Sequence, residues 1–506
     1  GLITGTKFTK TGTGTLYIGS NNPNLTETIL TAGTIKLNSD ASIAYGVGKK
    51  ITLLTGTLDS KNSTGAYQTS SHNIEVPAGS TAAVIAAPRC QYNGVLTGGG
   101  TLNWKTDYIR AYMNANWSDF SGNINITANS ANSTYEDHFI VNNVNGYPKA
   151  TVNLGSGIRM CYKNGTSDNG RTKIKTGMLT GVAGSEFYNA DLEVGATNAS
   201  GSFDGVIMGS TVVTKIGTGT WTLGGANTYT GNTNLNGGTL VLNGSLTGTG
   251  TFTVGTATFF NVKGAVAGPV VIALNGIASL TGTLNSTLTS RGILRGTGGI
   301  VKGNVFLNDS SVTQPGSASI GSFTFGNTTM SSGAVLEMQL IGSTTSCDLL
   351  NVTGTLTLGG TLNLSGSGVF KSTDTYKLFN ATTLTGTFAR IILPVLQNGL
   401  EWDLTELYTN GIVKVKLNET GIRNPTIRIG VVANPTDGLF KILVGNQTDF
   451  NLQVVDLQGK IVYKSVLNST RSEYDLDIRK SPAGIYLLNI TSQKGYSNTL
   501  KLLKNR

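Results

Sequence analysis

The chain has 506 residues, of which only 13% are charged and 68 are glycine, an unusual make-up for globular domains; yet its apolar residues (38%) fall in short regular runs, which excludes a disordered chain. The net charge of +10 is uneven: residues 421–506 hold twelve Lys/Arg against six acids, so the first 420 residues carry only +4. With no long basic run, this is a solvated basic tail rather than a nucleic-acid surface. No apolar run approaches the roughly 18 residues of a membrane span, and Cys90, Cys161 and Cys347, an odd set without CxxC, give no disulfide framework.

The first legible unit starts at Lys10, KTGTGTLYIGSNNPNLTETILTAGTIKLN. It aligns without a gap with KIGTGTWTLGGANTYTGNTNLNGGTLVLN from Lys215, matching Gly12 to Gly217, Gly14 to Gly219, Asn22 to Asn227, Gly33 to Gly238 and Leu37 to Leu242. Shorter echoes begin at Gly244, Leu280 and Val352. The common element is Gly-Thr-Leu-x-Leu closed by Gly or Asn. Leucines two apart share one face of a strand. Threonine and valine suit the pleated surface, and Gly or Asn tolerates the positive φ of a sharp corner. Each unit therefore reads as strand, corner, strand. A long series of such units buries its apolar edges only by stacking, which is a solenoid. A right-handed parallel β-helix over about 1–420 is favoured over a barrel or propeller. Stacked Asn and Thr ladders are expected outside it, and a cap at each end.

Between the two long repeats the pattern blurs, with the irregular part placed near 59–140. The stretch 104–175 collects Trp104, Tyr108, Arg110, Tyr112, Trp117, Phe120, Tyr135 and Tyr147. Exposed rings stack on sugar faces, so Trp104, Tyr108, Tyr112 and Trp117 are candidate glycan contacts; the competing reading packs them under a loop insertion. In YEDHFI, Glu136, Asp137 and His138 are adjacent ionisable groups, a candidate catalytic cluster set against an exposed turn. Only 21 acids and two histidines precede residue 421, and no GxSxG, P-loop or HExxH is present. No catalytic residue, metal or cofactor is assigned. Cys90 and Cys161 are read as buried free thiols rather than a pair.

The Lys10 and Lys215 units resemble the autotransporter-associated β-strand repeat of secreted bacterial passenger proteins. So does the order GTGGIVKGNVFLNDSSVTQPGSASIGSF, CDLLNVTGTLTLGGTLNLS and TDTYKLFNATTLTGTFARI, over most of 211–390. The resemblance implies an exported right-handed β-helix and no particular activity.

After residue 420 the style changes. VVANPTDGLFKI (from Val431), LQVVDLQGKIVY (from Leu452) and YDLDIRKSPAGIYLLNI (from Tyr474) read as a small antiparallel sandwich of roughly seven strands. Asn434-Pro435 with Gly438 makes one turn, Gln458-Gly459 a hairpin connection, and Tyr486 is core. The set resembles the type A C-terminal sorting domain of the type IX secretion system of Bacteroidota. Its matching positions are Asn434, Pro435, Gly438, Asp456, Gly459, Lys460, Gly484 and Tyr486, with Lys501 and Lys504 in the basic end. The resemblance implies recognition by the type IX translocon and an outer-membrane β-barrel shuttle. It also implies removal by a sortase-like peptidase, near Asn418–Pro425, with attachment to surface lipopolysaccharide.

The organisation expected is thus an irregular β-helix at 1–210, a regular one at 211–420 and a sorting domain at 421–506, joined near Gly421. A chain beginning at Gly1 reads as a mature protein whose signal peptide is gone, at the extracellular face of the outer membrane. Two functions remain: a surface adhesin, stalk or coat; or a polysaccharide lyase or hydrolase on the same scaffold.

Overall fold

The computed structural model describes residues 2–37, 45–60, 68–106, 110–128, 139–143, 145–162, 173–418, 428–432, 434–445, 450–467, 473–492 and 497–505. Two compact units are distinguished. One comprises 1–368, 375–394 and 404–413; the other comprises 369–374, 395–403 and 414–506.

The first unit is a parallel β-solenoid of about fifteen turns. Its alternation is period two throughout, so one strand residue points in and the next out. The inward column Ile35, Leu58, Val84, Trp104, Ile126, Leu154 runs through six successive turns, all buried. One turn takes from 16 residues (Ile277 to Ile293) to 29 (Leu350 to Phe379), because corners absorb the insertions. The stretch expected to be irregular keeps its parallel rungs through Asn73–Val76, Leu96–Gly98, Thr101–Thr106, Asn123–Ala128 and Tyr147–Leu154.

Outward columns carry the expected ladders. Asn153 donates to Asn125 at 2.7 Å and Asn125 to Asn103 at 2.9 Å, and Thr180 continues the row by donating to Asn153. A second row links Asn142, Asn114 and Asn93 at 2.8 and 2.9 Å. The faces are not uniformly polar, however. Phe259, Ile277, Ile293, Val312 and Val335 stack outward on five consecutive turns. The guanidinium of Arg295 lies 5.3 Å from the Phe259 ring centroid.

The last turn is capped as expected. A single helical turn, Leu407–Asn410, buries Leu407 and ends at Gly411, whose carbonyl accepts the N–H of Leu378 at 2.8 Å. At the other end Phe8 and Leu16 remain half-buried, so the cap expected over the first rung is not found among the described residues.

The second unit contains two antiparallel sheets. Arg428–Val432, Leu439–Gly445 and Glu473–Asp477 form one; Ile461–Leu467, Phe450–Val455, Gly484–Ser492 and Ser497–Lys504, in that order, form the other. Their inner faces share a core that includes Phe440, Ile442, Leu452, Val454, Leu488 and Leu502. This is the small sandwich of seven strands.

Candidate functional site

Two kinds of constellation stand out: a staple repeated inside the solenoid, and a cluster at one end of the sandwich. In the staple, the Lys215 ammonium donates to the carbonyls of Ile216 (2.7 Å), Gly217 (3.1 Å) and Gly237 (3.2 Å), tying one turn to the next. Lys10 does the same to Thr11, Gly12 and Ala32. Burial holds the Lys215 pKa down to about 8. Asn227 bridges three turns: it accepts from Ile207 N–H at 3.0 Å and donates to Gly225 and Ser245 carbonyls at 3.0 and 3.3 Å. Asn22 repeats this with Ile3, Ser20 and Gly46. Gly238 sits at φ +62°, and a Cβ there would lie 2.5 and 2.6 Å from the carbonyls of Gly219 and Gly217, so only glycine fits the corner. The repeat's matching residues are therefore its inter-turn fasteners.

In the sandwich, the sorting-motif residues converge on one end of the four-stranded sheet. Gly484 opposes Lys504 in register. The Asn434 side chain clips that tail, donating to Lys501 C=O and accepting Leu503 N–H, both at 2.7 Å. Thr436 N–H donates to Leu503 C=O at 3.1 Å and Thr436 C=O accepts Asn505 N–H at 2.7 Å. Gly438, at φ +114°, leaves the space that the buried Lys504 stem fills; a Cβ would lie 2.6 Å from Lys504 Cε. Lys504 is thus a packed residue rather than part of a free basic end, whereas Lys501 is exposed. Asp456 holds the hairpin, accepting Gln458 and Lys460 N–H at 3.0 and 2.9 Å, with Gly459 at φ +83°. Tyr486 is core, its hydroxyl donating to Pro482 C=O at 2.6 Å. A hollow of about 610 Å³ is lined by Asp456, Lys460, Lys480, Gly484 and Tyr486.

The aromatic set behaves differently from a sugar platform. Trp104 and Trp117 are buried and present no face to solvent. In Thr101–Thr106 the alternation that sends Asn103 outward sends Trp104 inward, into the aliphatic column. Trp117 donates its indole N–H to Gly94 C=O at 3.1 Å. Tyr92, Trp104, Trp117, Phe139 and Tyr147 form one edge-on cluster, with Trp104 and Trp117 centroids 5.5 Å apart. As stacking platforms these two tryptophans are withdrawn. Tyr112 is half-buried on an outward column, its hydroxyl 3.4 Å from the Arg110 guanidinium. Tyr108 and the Glu136, Asp137, His138 cluster lie outside the described residues, as do Gly421 and most of the expected cut region. All three cysteines are free; Cys90 and Cys161 are separated by three rungs, and burial pushes the Cys90 thiol up to about 12. No group of three metal-ligating side chains occurs among the described residues, and no described helix is long and apolar enough to cross a membrane.

Sequence reasoning missed Asp348. It is buried and accepts Gly321 and Gln339 N–H, each at 2.8 Å, and burial raises its pKa to about 6. An isolated Asp after Cys347 carries no motif, so nothing in the sequence marked it.

Comparison with known proteins agrees with this geometry. Residues 432–505 match the family model of the secretion system C-terminal sorting domain. Residues 213–242, which contain the Lys215 and Asn227 staple, match that of the passenger-associated-transport-repeat. No curated protein matches the chain. Among solved structures, the Haemophilus influenzae Hap adhesin aligns at 11% identity and a TM-score of 0.25, over 78% of this chain and 65% of that one. The chain thus spans just under two thirds of that protein's length. The chain thus joins a β-solenoid that contains a passenger-associated-transport-repeat to a secretion system C-terminal sorting domain.

Proposed function

We propose that the solenoid works outside the cell by extension and adhesion, as a stalk, coat or adhesin, and that residues 421–506 carry it there. The observation behind this reading is the staple. The segment that matches the passenger repeat uses Lys215 and Asn227 to fasten turn to turn, which gives length and stiffness rather than chemistry. The outward Asn and Thr ladders add to the same end. In this reading a Bacteroidota cell exports the chain through the type IX translocon and its outer-membrane shuttle. A sortase-like peptidase cuts near Asn418–Pro425 and attaches the passenger, 1–210 with 211–420, to surface lipopolysaccharide. Glycans are the ligand class, with Tyr112 among the contacts.

The test compares the full chain with one ending before Lys501 in a type IX-competent host. The intact chain reaches the cell surface, with an end near Gly421 and added sugar or lipid mass. The shortened chain, deprived of the strand that Asn434 clips, stays in the periplasm. Equal export of both refutes the role of the tail. Release of reducing ends or unsaturated uronides from acidic polysaccharides by the exported chain replaces adhesion with the enzymatic reading.

A further inference from the structure

Among the described residues, one edge of the four-stranded sheet has no backbone partner beyond it. The strand Ile461–Leu467, seven residues reading IVYKSVL, pairs with Phe450–Val455 and has no other strand partner among the described residues. By antiparallel geometry, every second residue turns its N–H and C=O away from that partner. Edges of this length are ordinarily blunted by proline, several charges or a covering loop. This one carries a single Lys464 and a bulge in register at Val454/Val455. Ile461 and Val466 are 50% and 58% exposed, and Leu457 beside them 64%.

Hollows lie at both ends of the same strand. The 610 Å³ hollow takes Ile461 and Val462 into its wall; a second, of about 400 Å³, takes Tyr463, Val466 and Leu467. Such spacing fits the alternate side chains of an added strand. The charge at the first hollow is one-sided. Lys460, Lys464 and Lys480 make no ion pair among the described residues, whereas three of the four neighbouring acids are engaged, Asp475 on the wall of the second hollow being the exception. Asp456 holds its hairpin, Asp477 pairs with Arg479 at 2.7 Å, and Glu473 pairs with Lys441 at 3.0 Å.

We infer that the edge Ile461–Leu467 receives an extended segment of a partner protein as a fifth strand, with acidic side chains of that segment at Lys460 and Lys480. Backbone pairing supplies the affinity, the two hollows take alternate apolar side chains, and the cations set direction and partner choice. The inference rests on reading 432–505 as a domain that the export machinery recognises.

The test uses the full chain and three short acetylated peptides of alternating Val and Thr: one ending in Asp-Asp, one ending in Lys-Lys, and one ending in Asp-Asp with a central proline. Binding is followed by fluorescence anisotropy, and its location by amide hydrogen exchange. The acidic peptide binds and slows exchange in 461–467; the proline peptide does not bind. The variant K460E/K480E, altered only at exposed side chains, weakens binding about three- to tenfold. It keeps its exchange pattern elsewhere, which shows that it folds. The inference is overturned if the acidic peptide does not bind, if the lysine peptide binds equally, or if protection falls on Ser497–Lys504. Protection of 461–467 that rises with chain concentration alone overturns it too, since a second copy would then be the occupant. Export in the truncation assay is independent of all these outcomes, so failure here and failure of the sorting role are told apart.

Discussion

Replacing Asn227 by leucine tests the staple most directly. The side chain is buried, its branching and number of heavy atoms are kept, and no charge changes. What is lost is one acceptor for Ile207 N–H and two donors, to Gly225 and Ser245 C=O. A buried backbone group left unpaired costs about 1–3 kcal/mol. Three such groups, one of them held at the longer distance of 3.3 Å, give about 3–6 kcal/mol. A solenoid is held by nearest-neighbour terms, so the loss is local. Native-state hydrogen exchange is the assay, because it reads opening rung by rung where a single global unfolding energy is ill-defined. Amides of Val206–Met208, Ala226–Asn227 and Ser245–Leu246 lose protection by that amount, and those of Thr361–Ser367 keep theirs. Asn22→Leu, with three matching bonds in an equally buried site, loses protection in its own rungs by a similar amount. Asn227→Asp sets a carboxylate against the Gly225 and Ser245 carbonyls. Its pKa is raised, the folded state holds the extra proton, and stability falls as pH rises. A change below about 1 kcal/mol in Asn227→Leu, the lower limit for a single lost partner, refutes the reasoning.

Trp104→Ala removes the centre of the aromatic cluster and costs about 3–5 kcal/mol in local exchange; a loss of glycan binding without loss of stability contradicts its placement in the core. Asp348 contributes a pH dependence of opposite sense to an ordinary paired acid. Its folded pKa is about 6 against 3.8 unfolded, so between those values the folded state keeps a proton that the unfolded state has lost. Stability therefore falls, by about 3 kcal/mol in full, as pH rises through that window; exchange at pH 4 and pH 7 checks it, and Asp348→Asn flattens the difference. For Lys215 the folded pKa is about 8 against 10.5 unfolded, so stability rises between those pH values, and Lys215→Met abolishes the rise. Cys90, buried with its thiol held at about 12, reacts with a thiol reagent at neutral pH only when its rung opens, at a rate that follows local exchange.

The repeats made the solenoid readable because a period-two pattern with Gly or Asn corners leaves few other folds. The same pattern placed Trp104: in TLNWKT it alternates with Asn103 and Lys105, so its burial was already written in the strand. Aromatic richness drew attention to the residue and hid its direction. Tyr486 was read as core from the same alternation, and its buried ring bears this out. The outward stack of Phe259, Ile277, Ile293, Val312 and Val335 was illegible for another reason. Its members come from five turns separated by 16 to 23 residues, and only the register brings them into one row. Asp348 was equally silent, since its partners are backbone N–H groups, which no side-chain motif records.

The two units use the same residue types for opposite purposes. Lys215 in the solenoid is enclosed by three carbonyls, and its charge faces its own chain. Lys460 and Lys480 in the sandwich make no ion pair among the described residues, and both are exposed beside the edge strand. Along the solenoid each strand finds its partner in the next turn, so the array is satisfied internally except at its ends. The sandwich has no next turn, and among the described residues its sheet stops at Ile461–Leu467, which pairs on one side only. A chain able to fasten turn after turn of parallel strands has left one antiparallel edge available, and it has done so inside the domain that directs export. The edge is therefore where the recognition chemistry of this domain is to be sought.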